Sequence, residues 1–338
     1  MKEIFIASLT PMLSLFLFMA IGFILVKTKL LPENASKVMA KLLTFVFSPA
    51  LSFNSMAKNF TVKSIGAYAS LFVLSIIIVI LAVFLATFLA KFFVKDKEAY
   101  ERNVYKYALT FGNYGYMGAP LVIALFGMEG YTYFNFVTLP CSIVIYTWGI
   151  STLVPKSQQK RTVKQTIKSL LNPPTVALLI GMLIGITGLG EVMYNSSACV
   201  FLTDCISDLG SCMAPVAMLL AGVTVAKYNL KKMVANAKVY VATVFRLVLI
   251  PTVLVLVSFG IISLANAIGI TVDNTFLFLM FFVYATPLGM NTIVFPEAFG
   301  GDPSTGASLT LVSHVICVIT IPIMFALISV LFGPIPVF

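Results

Sequence analysis

Long apolar runs separated by short polar breaks dominate this chain. Ile6–Val26 and Ser70–Ala90 contain no charged residue, and each comes near the about 20 residues that carry a helix across a bilayer. Reading every such run between its polar breaks predicts ten spans, near residues 4–26, 36–57, 64–94, 104–126, 131–153, 173–188, 197–226, 238–263, 274–299 and 306–332. The first run is too long for a cleaved signal peptide, holds Pro11 and has no small-x-small site before Lys27, so it is taken as a span.

The polar breaks carry an orientation signal. One set of connections holds Lys27, Lys29, Lys91, Lys95, Lys97, Arg102 and Lys106, then Lys156, Lys160, Arg161, Lys164 and Lys168, then Lys227, Lys231, Lys232 and Lys238. The opposite set holds little beyond Lys58 and Lys63. Positive-inside bias puts the first set in the cytoplasm and both termini outside it, in the cell membrane.

Composition supports the same picture. The 338 residues are 60% hydrophobic and 10% charged, with mean hydropathy +1.03, against about a quarter charged in a soluble domain. Lipid is therefore the main solvent. The net charge of +10 is accounted for by topology and anionic headgroups, with no nucleic acid implied. The five cysteines, an odd count, lie in or beside apolar segments, and are read as small core residues and neither as disulfides nor as a metal site.

Residues 155–172 form the longest polar stretch, a cytoplasmic linker between residues 1–154 and 173–338. Five spans in each block make the second enter the membrane inverted, the plan of many secondary transporters. Traces of a repeat remain. Pro11 and Gly22 are eleven apart, as are Pro174 and Gly185, and laying Gly115 over Gly289 places Asn113 over Pro287 and Gly127 over Gly301.

Spans 4 and 9 hold helix breakers at their centres, "GNYGYMGAP" over Gly112–Pro120 and "ATPLGMN" over Ala285–Asn291. A freed backbone group in lipid costs several kcal/mol unless something satisfies it, so such breaks belong where they face protein, water or a ligand. Two breaks at matching depth in inverted repeats can cross. Their half-helix N-termini then offer N–H groups to a carboxylate, and their C-termini offer carbonyls to a cation or hydroxyl. Asn113 and Asn291 add amides that must find partners. Tyr114 and Tyr116 fit the site or the core equally well.

"GNYGYMGAPL" and "TPLGMNTIVFPEAFGGD" resemble the two signature elements of the auxin efflux carrier family, "NPPTVALLIGMLIG" resembles the start of its second half, and "LVSHVICVITIPI" its last helix. The resemblance spans nearly the whole chain. It implies an all-α polytopic fold of ten helices in a five-plus-five inverted repeat with crossing broken helices. It also implies a scaffold of spans 1, 2, 6 and 7, often a dimer contact, and an elevator-type transport domain of spans 3–5 and 8–10. Organic anions would be the substrates, small mono- or dicarboxylates of the malate-permease type, with Asn113, Pro120, Pro287 and Asn291 at the crossover. Tyr114, Gly115, Tyr116, Gly289 and His314 complete the expected substrate-binding set. His314 departs from the Ser or Thr usual in the family, and the long cytoplasmic loop of plant members is absent, which favours a short bacterial type over an auxin exporter.

His314, the only histidine, falls near the middle of span 10. An ionisable residue at that depth suggests an anion contact or proton coupling; a neutral imidazole bonding across helices is the alternative. Asp204 and Asp208 share one face of span 7, as a proton or sodium site, a watery vestibule or a dimer seam. Arg246 in span 8 either snorkels or pairs with an acid or the substrate. Glu297 is expected at a helix end or gate and is kept as an ion-coupling candidate. No cofactor or metal is expected, coupling to H+ or Na+ staying open.

Enzyme chemistry fits poorly. Asp204 and Asp208 form a D-x-x-x-D pair without the second acidic cluster of a membrane prenyltransferase. His314 has no serine motif beside it, "FGGD" is not an aspartyl-protease motif, and a P-loop is absent. A channel or a transporter-like sensor remains the rival to a carrier.

Overall fold

The structure, a computed structural model, describes residues 2–32, 34–96, 99–155, 162–269, 272 and 274–333. Lys97, Lys156, Lys160 and Arg161 of the basic connections lie outside them. Among the described residues helix is the only regular secondary structure, beside one antiparallel bridge between Gly112 and Leu288.

Fourteen helical elements follow one another: α1 (Lys2–Lys27), α2 (Ala35–Asn59), α3 (Val62–Phe93), α4 (Tyr100–Thr110), α5 (Tyr114–Leu153), α6 (Val163–Leu170), α7 (Pro173–Ile186), α8 (Leu189–Asn195), α9 (Val200–Ala226), α10 (Leu230–Val234), α11 (Ala237–Ala267), α12 (Thr275–Tyr284), α13 (Asn291–Phe299) and α14 (Ser304–Phe332). Seven of them are long and apolar enough to cross a membrane: α1, α2, α3, α5, α9, α11 and α14. The α6–α7 pair, bent by 60°, makes an eighth if taken as one span. The sequence pattern predicts ten runs at these places, and two features separate the counts. The runs near 104–126 and 274–299 are snapped into shorter pieces. The runs near 104–126 and 131–153 also join through α5, whose 40 residues bend where Gly127 adopts φ 68°. That left-handed backbone suits glycine alone among common residues.

Among the described residues four turns widen to π geometry, at Leu43–Phe47, Tyr114–Gly118, Ile145–Gly149 and Phe245–Leu249. Three of them end just before a proline: Pro49, Pro120 and Pro251. A proline has no N–H to donate, and its ring presses on the carbonyl four residues back. That carbonyl belongs to Phe45, Tyr116 and Leu247, inside each widened turn, so the ladder shifts register there instead of breaking.

The helices pair closely where glycine removes the side chain. Gly22 of α1 lies on the backbone of Leu219 in α9, and Gly185 of α7 lies on the backbone carbonyls of Met56 in α2 and Phe60 just past its end. A Cβ at either position would occupy the space of a backbone oxygen. Gly22→Ala and Gly185→Ala are each expected to cost about 1–3 kcal/mol by overpacking, read as a lower thermal midpoint in detergent. Gly66→Ala and Gly260→Ala, which would meet nothing within 4 Å, should leave it nearly unchanged.

One end of the bundle gathers basic connections. Lys227 Nζ donates to Ser36 Oγ at 2.6 Å, Lys238 Nζ donates to the Phe93 carbonyl at 2.8 Å, and Tyr228 Oη donates to Glu297 Oε1 at 2.7 Å. Burial, and then the Glu297 carboxylate, push the Tyr228 phenol up from its ordinary value, so this contact keeps its proton throughout the physiological range. α6 lies in the linker beside this end; Val163 and Ile167 are exposed on one side and Lys164 and Lys168 alternate with them, a pattern that suits a membrane surface.

Candidate functional site

The two broken segments meet. After α4 ends at Thr110, Phe111 and Gly112 run extended and Asn113 opens α5; after α12 ends at Tyr284, residues 285–290 run without helix and Asn291 opens α13. Gly112 and Leu288 pair as an antiparallel bridge, and the Asn113 amide donates to the Pro287 carbonyl at 2.7 Å. Two stretches of backbone that would be unsatisfied in lipid therefore satisfy each other in part. Glycine is required here, because a Cβ on Gly112 would enter the Arg246 guanidinium and Thr286.

Arg246 supplies what the bridge does not. It is fully buried on the widened turn of α11. Nη1 donates to the carbonyls of Leu109 (3.0 Å) and Thr110 (3.1 Å), Nη2 to Val283 (3.1 Å), and Nε to Thr286 (3.2 Å). These carbonyls close α4 and lie in and just past the last turn of α12, so one guanidinium caps two helix C-termini. Each such end carries roughly half a negative charge, and the two together offset one cation. Tyr284 adds its ring face at 5.7 Å. Arg246 thus neither snorkels nor pairs with an acid: all four of its hydrogen-bond partners are main-chain carbonyls.

The opposite ends of the same breaks open on a cavity of about 240 Å³. Gly112, Asn113, Tyr114, Gly115 and Tyr116 line it from the start of α5, and Gly289, Met290 and Asn291 from the start of α13. The first N–H groups of each helix have no carbonyl within their own helix to bond. Met117 and Gly118 turn theirs back on the Asn113 carbonyl, and Thr292, Ile293 and Val294 of α13 turn theirs on the carbonyls of Gly289 and Met290. Thr44 and Ser52 of α2, Asn172 and Thr175 at the head of α7, and Met213 of α9 form the facing wall.

Side chains around the crossing are mostly paired. Asn113 Nδ2 lies 3.0 Å from His314 Nε2, and His314 Nδ1 lies 2.7 Å from the Thr310 carbonyl. A carbonyl only accepts, so Nδ1 carries the proton and Nε2 accepts from the Asn113 amide. Asn291 Nδ2 donates to Tyr107 Oη at 2.9 Å, Tyr114 Oη bonds Ser142 Oγ at 3.0 Å, and the Leu288 amide donates to Ser313 Oγ at 3.0 Å.

Six of the nine residues expected to contact a substrate line the cavity: Asn113, Tyr114, Gly115, Tyr116, Gly289 and Asn291. Pro120, Pro287 and His314 do not; Pro120 follows the widened turn, Pro287 lends its carbonyl to Asn113, and His314 sits behind the Asn113 amide. Asp204 and Asp208 lie exposed on the outward side of α9, and Glu297 is exposed at the end of α13. None of these three acids lines the cavity. Cys141 and Cys317 are buried as expected, but Cys199 and Cys205 are half-buried and Cys212 is exposed, because α9 turns that side outward; all five thiols are free. Among the described residues no group of three metal-ligating side chains occurs.

Sequence reasoning missed one wall of the cavity. Tyr131, Asn135, Thr138, Ser142 and Tyr146 line it from α5 beyond the kink. Their spacing of three and four residues is a polar stripe on one helix face, legible in advance but hidden in an otherwise apolar run.

Polytopic helices, paired breaks and a polar chamber walled by half-helix N-termini together define a multi-pass membrane transport protein. Residues 7–325 match the family model described as membrane transport protein, and the chain belongs to that family, the auxin efflux carriers its two motifs resemble. This is a family of transporters, not of enzymes. The chain is 30% identical to Protein PIN-LIKES 2 of Arabidopsis thaliana over 125 residues, 36% of this chain and 26% of that protein, so the match spans about a quarter of the relative's length.

Proposed function

We propose that the protein is a secondary carrier of small organic anions, mono- or dicarboxylates such as malate, in the cytoplasmic membrane. The observation that carries this reading is the bridge between the two breaks, with both half-helix N-termini on one cavity. Their partial positive charges suit a carboxylate. The cation-binding, carbonyl ends of the same breaks are already filled by Arg246, so we read transport as independent of Na+. Export of an auxin-like aromatic carboxylate is the runner-up for substrate, and a channel or sensor the runner-up for mechanism.

The expected ten-span inverted repeat draws support from reciprocal packing. α1 packs on α9 as α7 packs on α2, through Gly22 and Gly185, positions the repeat equates. Asn113 and Pro287 are equated too, and they bond to each other; residues on a two-fold axis meet their own equivalents. In an elevator mechanism α3–α5 and α11–α14 would move against α1, α2, α7 and α9, and the cavity between α5 and α13 on one side and α2 and α7 on the other suits that division. Exposed Asp204 and Asp208, flanked by exposed Phe201 and Leu209, would be costly against lipid, which favours a homodimer seated on α9. With the basic connections in the cytoplasm, both termini face outward.

His314 gives the carrier a proton dependence. With Nδ1 donating to Thr310, a second proton on Nε2 would set two donors face to face against the Asn113 amide. Uptake is expected to fall as pH drops through the imidazole's titration, and His314→Ser to flatten that fall; an identical pH profile for the variant removes His314 from the mechanism. The function itself is tested by counterflow in proteoliposomes. Saturable, trans-stimulated carboxylate uptake supports a carrier, whereas non-saturating flux supports a pore.

A further inference from the structure

We propose that the two crossover asparagines read a hydroxyl on the substrate: the side-chain oxygens of Asn113 and Asn291 face the chamber as acceptors and select a 2-hydroxy acid over its deoxy and keto counterparts. This rests on the carrier reading of the same cavity. His314 sets the orientation. Its Nδ1 donates to the Thr310 carbonyl at 2.7 Å, so Nε2 only accepts, and the group that meets it at 3.0 Å is the Asn113 amide nitrogen. Asn113 Oδ1 is thereby turned to the other side of the amide. Asn113 is the N-cap of α5, a place where an asparagine oxygen commonly takes one of the first N–H groups, yet its side chain makes no cap bond. Among the described residues that oxygen meets no donor and is not enclosed, and Asn113 lines the chamber. Asn291 repeats the arrangement. Its Nδ2 donates to Tyr107 Oη at 2.9 Å, which leaves its Oδ1 at the chamber wall.

Donors for a carboxylate lie in the same turn. The N–H groups of Gly115 and Tyr116 precede those that turn back on the Asn113 carbonyl. A Cβ on Gly115 would meet nothing within 4 Å, so this backbone borders open space. An acceptor set beside anion-binding donors is repelled by a bare carboxylate and satisfied by a hydroxyl on the next carbon. A 2-hydroxy acid carries both groups on adjacent atoms.

Other lining groups discriminate less. The Ser, Thr and Tyr hydroxyls of the chamber can turn to donate or accept, so they do not separate an alcohol from a ketone, whereas an amide oxygen only accepts. The third helix end on the cavity, that of α7, adds its partial positive charge but no free donor. Pro173 and Pro174 have no N–H, the Thr175 N–H donates to Asn172 Oδ1 at 3.1 Å, and the Val176 N–H donates to the Asn172 carbonyl at 3.0 Å. An ammonium in place of the hydroxyl would also suit the two oxygens. It would stand uncompensated, since no lining residue carries a formal charge and three helix N-termini make the chamber positive.

The test is calorimetric titration of the purified full-length protein at neutral pH with lactate, propionate, pyruvate and L-alanine, and with the pair malate and succinate. Lactate is expected to bind about tenfold more tightly than propionate, the worth of one hydrogen bond, and at least that much more tightly than pyruvate, whose keto oxygen would face Asn113 Oδ1. L-alanine should bind more weakly than lactate, and malate more tightly than succinate. Asn113→Ala should narrow the lactate–propionate gap. His314 acts as a positioning residue: His314→Leu frees the Asn113 amide to turn its nitrogen to the chamber and should close the lactate–pyruvate gap. Equal affinity within each hydroxy–deoxy pair of the parent protein, L-alanine binding as tightly as lactate, or an unchanged lactate–pyruvate ratio in a folded His314→Leu protein overturns the proposal and leaves the carrier reading standing. Binding of none of these ligands, with carboxylate counterflow also absent, overturns both.

Discussion

Arg246→Met is expected to lose about 3–5 kcal/mol of stability, a fall in thermal midpoint on the order of 10 °C, together with all transport. Methionine nearly preserves the volume but strands the carbonyls of Leu109, Thr110, Val283 and Thr286 in the core. Each of these loses a bond to a charged donor, about 1.5–3 kcal/mol apiece before relaxation. Arg246→Lys should fall between, since an ammonium keeps the charge but lacks the planar fork that reaches two helix ends at once. Differential scanning fluorimetry with proteoliposome uptake reads both effects. A methionine variant as stable and active as the parent would mean that the breaks hold without their cation.

Asn113→Asp is the second large effect. The change is isosteric, so the Asn113 main-chain bonds to Pro287, Met117 and Gly118 persist. It places a negative charge at the N-terminus meant for a carboxylate and removes the donor that faces His314 Nε2. Anion affinity should fall by at least about 100-fold, the cost of setting like charges against each other. Asn113→Ala removes one polar contact without adding repulsion, and a loss nearer 10-fold is expected, one charged hydrogen bond of about 1.5 kcal/mol. Calorimetric titration of both variants distinguishes the two magnitudes; equal, small losses would say that charge at this helix end is immaterial.

The helical plan was legible because apolar runs of membrane length have few alternatives, and the breaks because glycine and proline punctuate them at Gly112–Pro120 and Ala285–Asn291. Widened turns could have been anticipated from Pro49, Pro120 and Pro251. What the chain does not spell out is partnership. Nothing local says that Arg246, more than two turns into its helix, reaches carbonyls 137 and 37 residues away in sequence, so the sequence favours snorkelling over pairing. The face that α9 turns outward is likewise a tertiary fact, which is why spacing alone leaves Asp204 and Asp208 open between an ion site, a watery vestibule and a dimer seam. Pro120 and Pro287 stand out by motif and His314 by its depth in an apolar run, yet all three shape the crossing from behind instead of lining the chamber.

The central claim is that the joined N-termini of α5 and α13 hold the anion. The most direct measurement is a cryo-EM or anomalous-diffraction map of the protein bound to a brominated carboxylate. The account predicts the carboxylate within hydrogen-bond distance of the opening amides of α5 or α13, beside Asn113 and Asn291. A carboxylate bound elsewhere, for example against Asp204 and Asp208 or at the basic end near Lys227, would contradict it.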